Sequence, residues 1–467
     1  MKKVASSVFF VFFFALCASS LTAAAKTEKS EKNRTIAASE PAKVKSVKEE
    51  KEADSSVDRK IKVDGSLEVD AMSLDNETDF INTASTGTLD DLNSRILTRA
   101  IVGFSVNFDD KTSGRIVIGK NNRTWGGTAA GENINALNAS ICVDNAYIVI
   151  DNVLDTVKLT IGRQFAGEKG DLIMYFGPTD DNSFSINALD AFKAESDITD
   201  YAKAEFLFGK VAEAGAFAGE RDTNLYGLKL WSEKAVTDAT LAGYWYNSTI
   251  QHPNPDAAVS VSALGAKING KIAGTDFGYK AEAALNFGNV GSTSPIVNFN
   301  GNAIIIGANM EKKLDSGMTA KAKLEYARGS GDSSATDNKV SDFQDINSDL
   351  RYGLIFGRTV NFAGVGINGA GLTNLSVINL GGGLENLTDR KLALILDYLI
   401  FSITDNGGSN ISTAIGSELD LKLKYPVHRN VKLGVSYAVF SAGKAIKDIT
   451  GNDDSVTRLG ADLGLKF

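Results

Sequence analysis

Near the end of the chain, Glu418-Leu419-Asp420-Leu421-Lys422-Leu423-Lys424-Tyr425 alternates without a break between charged and apolar residues. A period of two belongs to an extended strand with one polar and one apolar face. Four successive charges on one face cannot meet a dry core without a heavy desolvation cost. The strand therefore stands between water and an apolar phase. Two arrangements provide that. In a soluble sandwich the apolar face meets a core; in a membrane barrel it meets lipid and the polar face lines a lumen. Periodicity alone does not separate them.

The two ends of the chain bear on the choice. In residues 455–467, Leu459, Ala461, Leu463, Leu465 and Phe467 share one face, and Arg458, Gly460, Asp462, Gly464 and Lys466 the other. The chain stops on an aromatic, an ending similar to the closing strand of outer-membrane barrels. That likeness implies that Leu463, Leu465 and Phe467 form the signal read by the barrel-assembly machinery. At the other end, Lys2 and Lys3, an apolar run over 8–16 and Ala23-Ala24-Ala25 have the form of an export leader, giving a signal peptide over residues 1–25. Cys17 follows Leu16 rather than a small residue, which argues against a lipid anchor. Beyond the leader no apolar stretch approaches the ~20 residues of a spanning helix. A membrane-embedded form must then be a closed barrel.

Composition agrees. The mean hydropathy of −0.08 is far below that of a helical membrane protein and suits strands with only alternate residues in lipid. The 45 Gly and 6 Pro suit twisted strands that keep their ladder donors. The 57 acidic residues against 49 basic argue against nucleic acid as a partner. Past the leader Cys142 is the lone cysteine, so neither an intramolecular disulfide nor a cysteine metal cluster is expected. Residues 26–60 are dense in Lys and Glu and poor in bulky apolar groups. They are expected to be a disordered periplasmic tail, with a short charged helix as the alternative.

From 61 to 467 strand-length segments alternate with turn signals. Ala100, Val102, Phe104, Val106 and Phe108 read as outward; Arg95 and Arg99 read as inward. Short ends are expected at 109–112, 151–155, 209–210, 232–238, 273–276, 312–317, 386–390 and 426–430. Long ends are expected at 73–93, 121–140, 165–199, 247–257, 288–302 and 328–373. The rhythm predicts an all-β fold: a transmembrane antiparallel barrel of about 18 strands, or 16, with both termini periplasmic. Residues 211–218 are weakly patterned, and 351–358 could pair as a further strand. Tyr244, Tyr246, Tyr326, Tyr425 and Tyr437 read as aromatics near strand ends.

A barrel this wide leaves an aqueous channel whose walls set selectivity. The inward candidates are Arg95, Arg99, Arg115, Lys158, Lys203, Glu205, Lys280, Glu282, Lys321, Lys323, Glu325, Asp397, Glu418, Asp420, Lys422 and Lys424. The third long loop carries an apolar run, Asp171, Leu172, Ile173, Met174, Tyr175 and Phe176, that would be costly in water. Folding inward to constrict the pore explains it; a partner-binding patch is the rival. The acidic runs at 332–349 and 180–182 could hold Ca²⁺ through carboxylates, or be solvated loops without the spacing of a calcium site. No other cofactor is expected. His252 and His428 fall at opposite ends of the barrel, which leaves no histidine-based catalytic or metal site.

Asp144-Asn145-Ala146-Tyr147-Ile148-Val149 followed by Leu159-Thr160-Ile161-Gly162-Arg163-Gln164 resembles alginate-export-type outer-membrane porins. Tyr226-Gly227-Leu228 and the run from Gly416 onward are similar too. The resemblance implies an 18-stranded barrel. It also implies a basic lumen for an acidic polysaccharide, to which Arg95, Arg99, Arg115 and Arg163 would contribute. Acids on the late strands dilute that field. The expectation is therefore an outer-membrane porin, not an enzyme, for passive diffusion of small polar or anionic solutes. A dedicated polysaccharide or sugar-acid channel and a structural or adhesive barrel are the alternatives. The sequence leaves the oligomeric state open.

Overall fold

The computed structural model describes residues 60–76, 80, 93–125, 141–180, 182, 184–213, 222–252, 254, 257–291, 296–334, 336–358, 369–388 and 391–467. The expected leader and, except for Lys60, the charged tail lie outside the described residues.

Eighteen long strands carry the fold. The first six are β1 (Ile61–Asp75), β2 (Asn93–Asn107), β3 (Thr112–Thr124), β4 (Cys142–Val153), β5 (Val157–Gln164) and β6 (Leu189–Thr199). The next are β7 (Ala202–Ala212), β8 (Thr223–Val236), β9 (Ala239–Ile250), β10 (Val259–Lys271), β11 (Phe277–Val290) and β12 (Asn302–Lys313). The last are β13 (Thr319–Gly329), β14 (Leu375–Glu385), β15 (Ala393–Ile403), β16 (Ala414–His428), β17 (Val431–Ala442) and β18 (Val456–Lys466). Each pairs antiparallel with the next, and β18 returns to β1 over Ser66↔Lys466 to Asp75↔Thr457. The ring is closed, so the sheet has no free edge.

Alternation divides the two faces as the sequence predicts. On β16, Leu419, Leu421 and Leu423 are 45%, 41% and 39% exposed on the outside, while Glu418 and Asp420 are buried inside. Outward Phe104, Ile116, Ile148, Leu285, Ile306, Leu324 and Leu459 are likewise exposed around the ring. A soluble sandwich would bury this face. Here the buried apolar cluster lies within the barrel instead, and the outer band is free to meet lipid.

Turn chemistry sets the short end. Asp109 Oδ1 accepts the N–H groups of Lys111 and Thr112 at 2.7 Å each, and Thr199 Oγ1 accepts those of Tyr201 and Ala202. Both are side-chain-closed turns of the kind Asp and Thr favour. The connection between β6 and β7 is residues 200–201, not the expected 209–210, and 189–199 is strand rather than loop. Gly209 reads as a turn glycine but sits within β7. A Cβ there would fall 2.6 Å from Cδ2 of Leu189, so the glycine makes room for a neighbouring side chain. Residues 351–358 add no barrel strand; they include the single turn Phe356–Arg358. A short helix, α1 (Lys444–Thr450), lies between β17 and β18. Tyr244 and Tyr246 point inward, 6% and 7% exposed, and do not join an outer aromatic band. Tyr326 and Tyr437 face out.

Phe467 finishes the seam. Its N–H donates to Gly65 O at 3.1 Å, and Gly65 N–H donates to Phe467 O at 3.0 Å. A Cβ on Gly65 would lie 2.6 Å from the Phe467 ring and 2.5 Å from Ile101 O. Gly65→Val should therefore overpack the seam by about 1–3 kcal/mol. The folded, heat-modifiable form of the barrel on gels should be lost at a lower temperature than in the wild type.

Candidate functional site

An interior this wide is not filled by side chains from the wall. Among the described residues, two inserts fill most of it. The first follows β5 and folds back on itself, residues Ala166–Gly167 pairing with Tyr175–Phe176. The second connects β13 to β14 and enters the lumen over residues 341–358. Neither could sit in a closed barrel with its backbone polar groups unpaired, and each supplies partners for the other. Tyr175 N–H donates to Asn347 O at 2.7 Å, while Ile346 and Asn347 N–H donate to Ile173 O at 3.0 and 3.1 Å. Asn347 Nδ2 donates to Tyr175 O at 2.6 Å, and Ser348 Oγ to Asp171 O at 2.8 Å. The apolar run of the first insert is thereby buried. Leu172, Ile173, Met174 and Phe176 pack with Phe343, Leu354 and Phe356 of the second insert in one cluster with the wall.

The first insert is fixed by charge. Lys267 meets Asp171 at 2.7 Å and Glu168 at 3.3 Å, and Lys229 meets Glu168 at 3.1 Å. Burial works against the Glu168 charge, but Lys267 and Lys229 outweigh it and hold the carboxyl below its usual range. Burial, reinforced by Asp349, pushes the Tyr175 phenol up to about 12. Between insert and wall a cavity of about 10 Å³ is lined by Ile173, Met174, Tyr244, Tyr246 and Glu282 together with the two lysines and Asp171. That is room for about one water. Tyr244 donates to Glu282 at 2.6 Å across it. Arg99 holds the end of the same insert. It donates to Glu68, to Thr179 O at 2.8 Å and to Ser185 O at 3.2 Å, and its guanidinium lies 4.2 Å from the centre of the Phe184 ring.

The second insert is fixed by three carboxylates of the wall. Tyr352 donates its hydroxyl to Glu325 on β13. The N–H groups of Leu354, Ile355 and Phe356 donate to Glu418 on β16 at 2.5, 2.7 and 3.0 Å. Arg358 meets Asp70 on β1 at 3.3 Å. The Phe356 ring lies 4.3 Å from Phe401 and 6.2 Å from Phe440. Within the insert, Asp345 is half-buried and surrounded by protein. Burial pushes its carboxyl up to about 6 against the Ser348 N–H that donates to it at 2.9 Å.

The remaining inward candidates fall on the inner face by register, most of them in pairs. Arg115 meets Asp64 at 2.6 Å, Lys280 meets Glu325, Lys323 meets Asp397 at 2.8 Å and Lys321 meets Glu385 at 3.0 Å. Lys422 lies 3.5 Å from Asp397 and 3.6 Å from Asp420. Glu205 lies 3.8 Å from Lys193. Arg95 is opposite Met72 on the inner face. Lys158, Lys203 and Lys424 have no acidic partner within 4.0 Å among the described residues.

Arg163 is the exception. It pairs in register with Ala146 and Asp190, both outward positions, and meets Asp190 at 3.1 Å on that face. Counting in twos from Ile161, which is exposed to the outside, would have shown this. The acidic run at 332–349 is not a solvated surface loop throughout, since Asp345 and Asp349 lie within the barrel and Asp349 pairs with Arg351. Among the described residues no three His, Cys, Asp or Glu side chains are grouped to hold a metal ion. Lys229, Lys267 and Arg358 were not among the sequence candidates. The first two were legible as polar positions in alternating strands; Arg358 carries no such signal.

A closed ring of 18 antiparallel strands, apolar outside and polar within, is an outer-membrane barrel of the porin type. The chain belongs to the alginate export family, which matches residues 75–461. Its fold is shared by outer-membrane channels of Pseudomonas aeruginosa. OpdK, determined with vanillate, aligns with a TM-score of 0.53 and 12% identity over 87% of this chain and 99% of its own. OccD3 (OpdP) gives 0.51 and 11% over 87% and 91%, and OpdQ 0.53 and 11% over 87% and 98%. None of the curated proteins matches the chain in sequence. Fold and family are those of channels.

The Asp345 environment has a pH consequence. Its carboxyl titrates near 6 with the insert docked, against 3.8 when free in water. A carboxyl raised in the docked state favours docking at pH below 3.8 and opposes it increasingly as pH rises through 6. Channel conductance should therefore rise between pH 4 and 7. Asp345→Asn, which keeps an acceptor for Ser348, should flatten that part of the profile relative to the wild type.

Proposed function

We propose that the protein is a porin for passive diffusion of small hydrophilic solutes, with no catalytic step. The observation that carries this reading is the pairing of the two inserts inside the barrel, which narrows the lumen and suits small solutes better than a polymer. The balance of lumen charge supports it. Basic groups that would guide a polyanion, such as Arg99, Arg115 and Lys323, are held by acids. Of the inward basic candidates, Arg95, Lys158, Lys203 and Lys424 have no acidic partner within 4.0 Å among the described residues, a modest excess that favours small polar or anionic solutes. The vanillate in OpdK is a solute of that chemistry. Membership of the alginate export family favours a second reading, a dedicated channel for an acidic polysaccharide.

The short turns and both ends of the barrel lie together, which fits a periplasmic position for the termini. Export through the N-terminal leader, and assembly through Leu463, Leu465 and Phe467, belong to the same proposal. So does a constricting role for Asp171, Leu172, Met174, Tyr175 and Phe176.

Planar-bilayer recording tests the reading. The folded protein should conduct, and deleting residues 171–178 should raise conductance. Lys203→Glu with Lys424→Glu should move the reversal potential in a salt gradient toward cation selectivity. Absence of any channel in both the wild type and the deletion would reject the porin reading. Uptake of acidic oligosaccharides in preference to monosaccharides would support the second one.

A further inference from the structure

We propose that Glu418 is the latch of a gate formed by the second insert. The inference rests on the channel reading and adds how that channel would open. Three consecutive backbone N–H groups, those of Leu354, Ile355 and Phe356, converge on one wall carboxylate. Successive N–H groups curled around an anion form a nest, a site whose ligand here is supplied by the chain itself. The curl depends on Gly353, with φ of +88°. A Cβ there would lie 2.5 Å from Glu418 Oε2, so both the backbone conformation and the contact exclude a side chain. The donors are backbone groups. No side-chain change on the insert removes them, and the wall carboxylate is the part of the contact that can be altered chemically.

Two observations make this contact a latch rather than permanent packing. The segment from 352 to 358 has no ladder with the barrel wall. It is held at separated points by Glu325, Glu418 and Asp70, on β13, β16 and β1 along one stretch of the ring, and by the Phe356 ring against Phe401 and Phe440. Glu418 is also fully buried, with the insert's N–H groups on its carboxyl, and it stands two residues from Asp420 on the same inner face. With the insert lifted, the lumen lets water replace the three N–H donors. The Glu418 carboxyl then has hydrogen-bond partners in both positions. The closed state is favoured by three backbone N–H donors converging on one carboxyl.

The test is single-channel recording on the full-length protein, with folding checked by heat-modifiable migration. Glu418→Ala should shorten closed dwell times on the order of tenfold or more, as expected for loss of three hydrogen bonds. Glu418→Gln retains one acceptor and should fall between Glu418→Ala and the wild type. Gly353→Ala should act in the same direction from the insert side, and it decides the matter if Glu418→Ala does not fold. A protein with residues 345–356 replaced by a flexible linker serves as the open reference. If that protein conducts freely while folded Glu418→Ala and Gly353→Ala keep wild-type closed times, the latch is overturned and the channel reading stands. If the linker protein does not conduct, the channel reading itself fails.

Discussion

Eighteen strands closed through Ser66–Asp75 on Thr457–Lys466 leave every strand hydrogen-bonded on both sides, and they also leave an interior wider than the wall's own side chains can span. Everything distinctive about this protein follows from how that space is used. Inner positions opposite the inserts are small: Ala263, Ala284, Ala303 and Ala327 are buried beneath other groups rather than reaching inward. Tyr244 and Tyr246 lie over Gly265 and Gly227, where any Cβ would meet their rings. The wall is thus recessed where the inserts pack. The apolar core that a soluble protein would place between its layers sits inside the ring, where insert residues pack on wall residues.

A loop inside a barrel must satisfy backbone groups that a surface loop gives to water. The first insert does so mainly by pairing with the second and by turning Glu168 and Asp171 to two wall lysines. The second presents N–H groups, a tyrosine hydroxyl and an arginine to wall carboxylates. The two inserts therefore carry opposite electrostatic character toward the wall. That explains why the lumen is lysine-bearing on β8 and β10 but acid-bearing at Glu325, Glu418 and Asp70. Exposed pairs such as Arg163 with Asp190 contribute about 1 kcal/mol or less. The anchors at Arg99, Glu325 and Glu418 are shielded from water, and losing one partner there is the costlier event.

Much of the barrel was legible in the sequence because a period-two pattern is local and self-consistent. Leu419 to Tyr425 and the closing strand could be assigned to faces by counting, and the count of 18 strands was correct. Errors arose where a residue's role is set by a neighbour distant in sequence. Gly209 has the composition of a turn, but its reason is Leu189 on the adjacent strand. Tyr244 and Tyr246 read as membrane-edge aromatics because nothing local reveals the glycines they cover. The apolar run at 171–176 announced that it must be buried. Its partner, 341–358, looks like an acidic surface loop, since its burial depends on Glu325, Glu418 and Asp70 from three separate strands.

Arg99 shows why an inward charge is not by itself a selectivity charge. Its guanidinium is spent on Glu68, on two carbonyls of the first insert and on the Phe184 face, so it orders the plug and presents little field to a passing solute. The same holds for Glu418, whose lone pairs are taken by the nest. Charges that hold the inserts and charges that meet water form separate sets, although both lie on one inner face. Lys158, Lys203 and Lys424 belong to the second set, and all three lie toward the short-turn end. A solute entering from that end meets unpaired lysines before it reaches the inserts. In the channel reading proposed above, attraction and gating would therefore occur at different depths of the same lumen, and altering one set need not disturb the other.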